Sequence, residues 1–195
     1  MHLKIQIFIL LTIFGFKVKS QTVIINVTQQ PPPGTVTGDT VYYSLQRKLS
    51  WDDFRGKVYS SSSFEANTFT GFSYNSAVLE KKDTLFVHIF LQIYFDRKGS
   101  WVRPGSRNAY ALSHEQLHFD IAKLVADQFR DTLLSGTFSK DHESEIYALY
   151  WDYWRKLTKM ELQFDEETKH GRNHAAEAVW ERKIGKALKI GAKKK

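Results

Sequence analysis

The eight residues Ser113-His114-Glu115-Gln116-Leu117-His118-Phe119-Asp120 carry the pattern His-Glu-x-x-His. On a helix, positions i and i+4 lie one above the other on the same face, so the imidazoles of His114 and His118 can reach one metal ion. The chemistry this suits is that of zinc, which with three protein ligands keeps a fourth position for water and lowers that water's pKa towards neutrality. Glu115 lies one residue round from the first histidine, close to the water but outside the coordination shell. There it can accept the water's proton during attack on a polarised carbonyl and pass it to the leaving amine. The motif therefore predicts a Zn2+-dependent hydrolase with His114 and His118 as metal ligands and Glu115 as the catalytic base.

A third ligand has to come from farther along the chain. Ile121 and Leu124 stand where the extended form of the motif would have Gly and His, so the candidates are His142, His170, His174, Glu177 and Glu181. His170, next to Gly171 in a polar break, can turn into a site without the constraint of a helix. A zinc-bound imidazole usually gives its other N–H to a carboxylate or carbonyl, and Asp165 is a candidate for that role. Asp120 sits about 200° round the helix from His118 and is expected to serve elsewhere, in an ion pair or a cap. An oxyanion donor is also needed, with Tyr147, Tyr150, Arg172 and His174 as candidates.

The elements that must hold these residues are legible in part. Residues 106–134 contain no Pro or Gly, and Leu117, Ile121, Leu124, Val125 and Phe129 form a stripe at helical spacing, with Gly136 as a stop. A second helix is expected from near Ser139, with Asp141, Glu143 and Glu145 at its positive end and an aromatic cluster from Tyr147 to Trp154 as core or groove wall. Residues 168–173 form a break, and a third helix runs from about 174 to 190. Ahead of the helices, residues 64–79 and 84–95 alternate polar and apolar side chains around a turn at 80–83, which predicts a hairpin. In the second strand Leu85, Val87, Ile89, Leu91, Ile93 and Phe95 share one face, and His88 lies on the other.

Lys4, the apolar run from Ile5 to Phe16 and the modest residues before Gln21 read as a cleavable signal peptide over 1–20, too short for a comfortable membrane span. Residues 21–38 are expected to be a strand and a Pro-rich linker, 39–190 the catalytic domain and 191–195 a basic tail. With no cysteine among 195 residues, an exported protein must be stabilised by packing instead of disulfides. The net charge of +7 is concentrated at the ends, since residues 172–195 hold eight Lys and Arg against Glu177 and Glu181, and the body from 21 to 171 is near −2. Apart from Trp180 this basic end lacks interleaved aromatics, so no nucleic-acid partner is expected. The expectation is a secreted or periplasmic protein with a peptide or protein substrate and no stable membrane anchor.

Four blocks, taken together, resemble the bacterial secreted proteins grouped as domain of unknown function 922, described as zinc-dependent proteases from their motif. They are Leu49-Ser50-Trp51-Asp52-Asp53-Phe54-Arg55-Gly56, Lys98-Gly99-Ser100-Trp101-Val102, His114 to Ile121, and Thr168-Lys169-His170-Gly171. The resemblance covers residues from about 45 to 185. It implies His114 and His118 as ligands, Glu115 as catalytic and His170 as the third ligand, and it names no substrate. Trp51 and Trp101, inside these blocks, are read as packing residues. The fold expected is α+β, a small antiparallel sheet in the N-terminal half packed on a three-helix C-terminal half that carries the motif. Two other readings remain: an exported protein whose zinc is structural, with four protein ligands, and a zinc hydrolase acting on an ester or small amide.

Overall fold

The computed structural model describes residues 21–192, so the leader expected over 1–20 and the end of the basic tail, 193–195, lie outside the described residues. Ten elements beyond short turns carry the fold: β1 (Thr22–Gln29), β2 (Val36–Thr37), β3 (Thr40–Tyr42), β4 (Ala66–Asn67), β5 (Thr70–Lys81), β6 (Thr84–Asp96), β7 (Trp101–Val102), α1 (Ala109–Ser135), α2 (His142–Thr168) and α3 (His174–Ala192). The architecture is α+β, as the change of periodicity after Pro104 requires.

The alternation in β6 makes it the central strand. Leu85, Val87, Ile89, Leu91, Ile93 and Phe95 are buried on the face towards the helices, and the residues between them are half-buried. On one edge β5 pairs with it antiparallel over its whole length, from Lys81 opposite Thr84 to Thr70 opposite Phe95. The tight turn between them is possible because Lys82 takes a left-handed conformation, φ 55°. The other edge is shared end to end. β1 lies parallel to β6 from Thr22 opposite Thr84 to Gln29 opposite Leu91, and β3 continues antiparallel along residues 94–96, with β2 beyond it.

The sheet is therefore mixed, where a wholly antiparallel one is expected from sequence. The departure is β1, whose Val23, Ile25 and Val27 pack against the core. Residues 21–38 thus belong to the sheet instead of preceding the domain, and the prolines at 31–33 form the bend that lets one stretch of chain occupy two positions on one edge.

α1 lies across the inner face of the sheet, with Leu117, Ile121, Val125, Phe129 and Leu133 buried; α2 and α3 pack against it, and Tyr150 and Trp154 of α2 reach Phe72 of the sheet as well. The Asn108 side chain caps its start by accepting from the Ala111 amide at 2.9 Å, and Gly136 closes its end. Phe129 meets the rings of Phe72 at 5.7 Å, Tyr74 at 6.0 Å and Tyr153 at 5.7 Å. The aromatic cluster of α2 divides accordingly: Tyr150, Tyr153 and Trp154 turn to the core, and Tyr147 and Trp151 face solvent. Among the described residues, no helix is long and apolar enough to cross a membrane.

The first two blocks of the resemblance form one corner. Asp53 is paired with Arg47 at 2.8 Å and Arg97 at 3.3 Å, and the Gly56 amide donates to the Ser100 carbonyl at 2.7 Å. Trp101 is buried and Trp51 packs on the core beside Phe54, both as packing residues. Asp120 accepts from the Tyr43 hydroxyl and the Gln116 amide, each at 2.8 Å, and meets Lys48 at 3.4 Å, tying α1 to the segment after β3. Phe129→Ala should lower the unfolding free energy by about 3–5 kcal/mol in urea titrations, the range for a fully enclosed aromatic, with far-UV circular dichroism unchanged before the transition.

Candidate metal centre

His114 and His118 project from the N-terminal part of α1 towards the end of α2 and the turn that follows it. The His114 ring stacks on Phe164 at 4.6 Å, and His118 meets the same ring edge-on at 5.0 Å. Phe164 is wholly buried and so forms a fixed floor beneath both imidazoles. The next residue, Asp165, brings Oδ1 to 3.3 Å from Nε2 of His114 and 3.3 Å from Nε2 of His118. One donor atom from each of the three lies within 4.8 Å of the others. This nitrogen, nitrogen and oxygen set, with a cleft on its open side, suits zinc.

His170 comes to the same oxygen, its Nδ1 3.5 Å from Asp165 Oδ1, but half of its side chain is exposed and its ring leans on Phe64. It sits in the turn that reverses the chain between α2 and α3, where Lys169, His170 and Gly171 all have positive φ of 52°, 51° and 75°. The His170 amide donates to the Asp165 carbonyl at 2.8 Å, so the turn that ends α2 also holds Asp165 in place. Gly171 passes directly over His114, and a Cβ there would stand 3.3 Å from the ring's Cγ.

Glu115 is buried and opens on the same cleft, which holds about 500 Å³. Its Oε2 accepts from the Thr68 hydroxyl at 2.6 Å. Thr68 lies just beyond β4, which β7 anchors in a two-stranded ribbon along the cleft rim. Glu161, one turn before Asp165 on α2, and Arg172 also line the cleft.

The electrostatics are those of imidazoles and carboxylates that pair with one another. Burial alone would depress the His114 imidazole, yet Asp165 and Glu177 outweigh it and lift the group to about 9. His118 is likewise raised against its burial, by Asp165 first. Burial would raise Asp165, but the two imidazoles hold it far below the usual carboxylate range. Glu161 is pushed up to about 7 by burial, with His118 opposing and Asp165 reinforcing the shift.

The residues expected from sequence separate clearly. His114, Glu115, His118, Asp165 and His170 line one cleft with Arg172. His142 is buried at the start of α2 with its Nδ1 3.3 Å from the Lys140 carbonyl, and lines a different hollow near Tyr74 and Tyr147. Glu181 lines a groove with Lys48 and Lys186. Tyr150 gives its hydroxyl to the Phe72 carbonyl at 3.3 Å, and neither it nor Tyr147 lines the cleft of His114 and His118. Thr68 has no sequence signal at all, since a lone threonine between short strands looks like any other.

No family model matches the chain, and neither the curated proteins nor the solved structures contain a match to it.

Two outcomes follow from the geometry. His114 is raised from 6.5, so its pairing contributes stability that is full below about pH 6.5 and is lost as pH rises through about 9. In chelator, the thermal midpoint should fall between pH 6 and 9.5, and the fall should shrink in Asp165→Asn. Gly171→Ala, which puts a Cβ at positive φ against His114, should cost about 1 kcal/mol or more in denaturant titrations.

Proposed function

We propose that the chain is an exported zinc-dependent hydrolase that cleaves amide bonds, with a peptide or cell-wall-type substrate. The observation that carries this reading is the convergence of His114 and His118 Nε2 on one oxygen of Asp165, at 3.3 Å each, in a cleft that also contains Glu115. His114, His118 and Asp165 would hold the metal. Between the two residues able to complete the set, distance favours Asp165, whose oxygen reaches both imidazoles, while His170 stands beside it at 3.5 Å. Bound there, zinc supplies Lewis acidity that polarises a scissile carbonyl and acidifies a water.

The chain's own groups supply the rest. Glu115 takes the proton from the attacking water and returns it to the leaving nitrogen, and the Thr68 hydroxyl on Oε2 leaves Oε1 to do this. Arg172 lines the cleft and is a donor available to a developing oxyanion. The rim from Ser63 to Thr68 gives the substrate a wall of extended chain opposite α2. The similarity of the four blocks to secreted proteins described as zinc proteases, and the leader-like first twenty residues, support action outside the cytoplasm.

Elemental analysis of the purified chain from Gln21 onward, with His118→Ala, Asp165→Asn, His170→Ala and Glu115→Gln beside it, tests the reading. One zinc per chain is expected in the parent, His170→Ala and Glu115→Gln, and almost none in the other two. Retention by Asp165→Asn with loss in His170→Ala would transfer the third position to His170. Glu115→Gln should keep its zinc yet lose about 100-fold or more of the hydrolysis of a mixed peptide pool. Equal hydrolysis by Glu115→Gln and the parent would defeat the catalytic reading and leave a structural metal.

A further inference from the structure

The contacts behind His114 are as specific as those in front of it. While Nε2 faces Asp165, Nδ1 points back to the first turn of α3, where Glu177 Oε2 lies 3.3 Å away. Glu177 is 4% exposed, which is unusual for a carboxylate without a Lys or Arg partner. Among the described residues its charged partner is His114. Tyr110, one turn before His114 on α1, donates its hydroxyl to Glu177 Oε2 at 2.6 Å, and the Ser113 hydroxyl approaches Oε1 at 3.5 Å. Tyr110 is itself held by His174, whose ring stacks on it at 3.8 Å and 7°. The carboxylate is thus fixed by two elements.

The buried Nδ1 has no well-aligned hydrogen bond, so Glu177 is the acceptor towards which its proton can turn. An imidazole whose Nδ1–H is directed at a carboxylate carries its lone pair on Nε2, the atom facing Asp165. The other tautomer would aim a lone pair at a carboxylate and an N–H at the metal position.

We infer that Glu177, braced by Tyr110, is a positioning residue for His114: it fixes the tautomer with the proton on Nδ1 and aims Nε2 at the metal, so that α3 helps to set the affinity of the centre. The inference rests on the zinc reading above and goes beyond it by assigning a role to a residue outside the ligand set.

Zinc dissociation constants, from competition with a chromogenic chelator, should be measured for the parent, Glu177→Gln, Tyr110→Phe and the exposed control Glu181→Gln. Glu177→Gln should bind about 10–100-fold more weakly, Tyr110→Phe about fivefold more weakly, and Glu181→Gln like the parent. On the zinc-loaded protein with labelled histidines, the proton on His114 Nδ1 should resonate far downfield in the parent and move upfield in Glu177→Gln. A generally structural role would not produce this signature. Parent-like affinity in both Glu177→Gln and Tyr110→Phe, with unmoved His114 resonances, would overturn the inference while leaving the zinc centre standing. A parent that takes up no zinc would remove both. Should Glu177→Gln fail to fold, Tyr110→Phe carries the test, because it deletes one hydroxyl.

Discussion

A carboxylate shared by two imidazoles that are largely shielded from water is tolerable only if all three are held where their charges compensate. Taking any one of them out of water unpaired costs several kcal/mol. Asp165, His114 and His118 meet this condition through Phe164, which fixes both rings, and through the left-handed turn at 169–171, which fixes the end of α2. Much of the helical half serves this geometry. α1 is held against the sheet by Ile121, Val125 and Phe129, and α2 and α3 pack against it. The two histidines therefore cannot move relative to Asp165 without disturbing the core.

The sheet contributes to the site by a different route. β5 and β6 form the platform beneath α1, while the ribbon of β4 and β7 brings Thr68 to Glu115. The corner built by Asp53, Arg47 and Arg97, with Gly56 pressed against the chain at 98–100, anchors the same region. A Cβ on Gly56 would collide with the Lys98 carbonyl, so close approach of two backbones defines that corner. The side of the cleft away from His114 and His118 thus depends on residues far from the motif.

What the sequence could disclose was what repeats or punctuates. The Pro- and Gly-free helical stripe with Gly136 after it placed α1 to within a few residues, and the alternation from 84 to 95 placed β6. Helix α2 begins at His142, slightly later than the acidic run implies, because Ser139 binds the Glu145 side chain ahead of the first turn. The parallel placement of β1 was not legible: six β-branched and polar residues say strand, but pairing direction is decided by where the rest of the chain leaves an edge open. The same limit applies to Asp165 and Glu177. Each is one acid among several, and only the packing of α2 and α3 determines which one faces His114.

The place of β1 has a consequence for how the molecule comes together. Its partner on the sheet lies roughly sixty residues downstream, with Thr22 opposite Thr84, and a parallel pair closing so long a loop forms late in folding. As the chain emerges, its first strand has nothing to pair with until the hairpin of β5 and β6 is complete. The strand at residues 22–29 thus closes the longest loop in the sheet, and without it one edge of β6 would be bare to any other extended chain nearby.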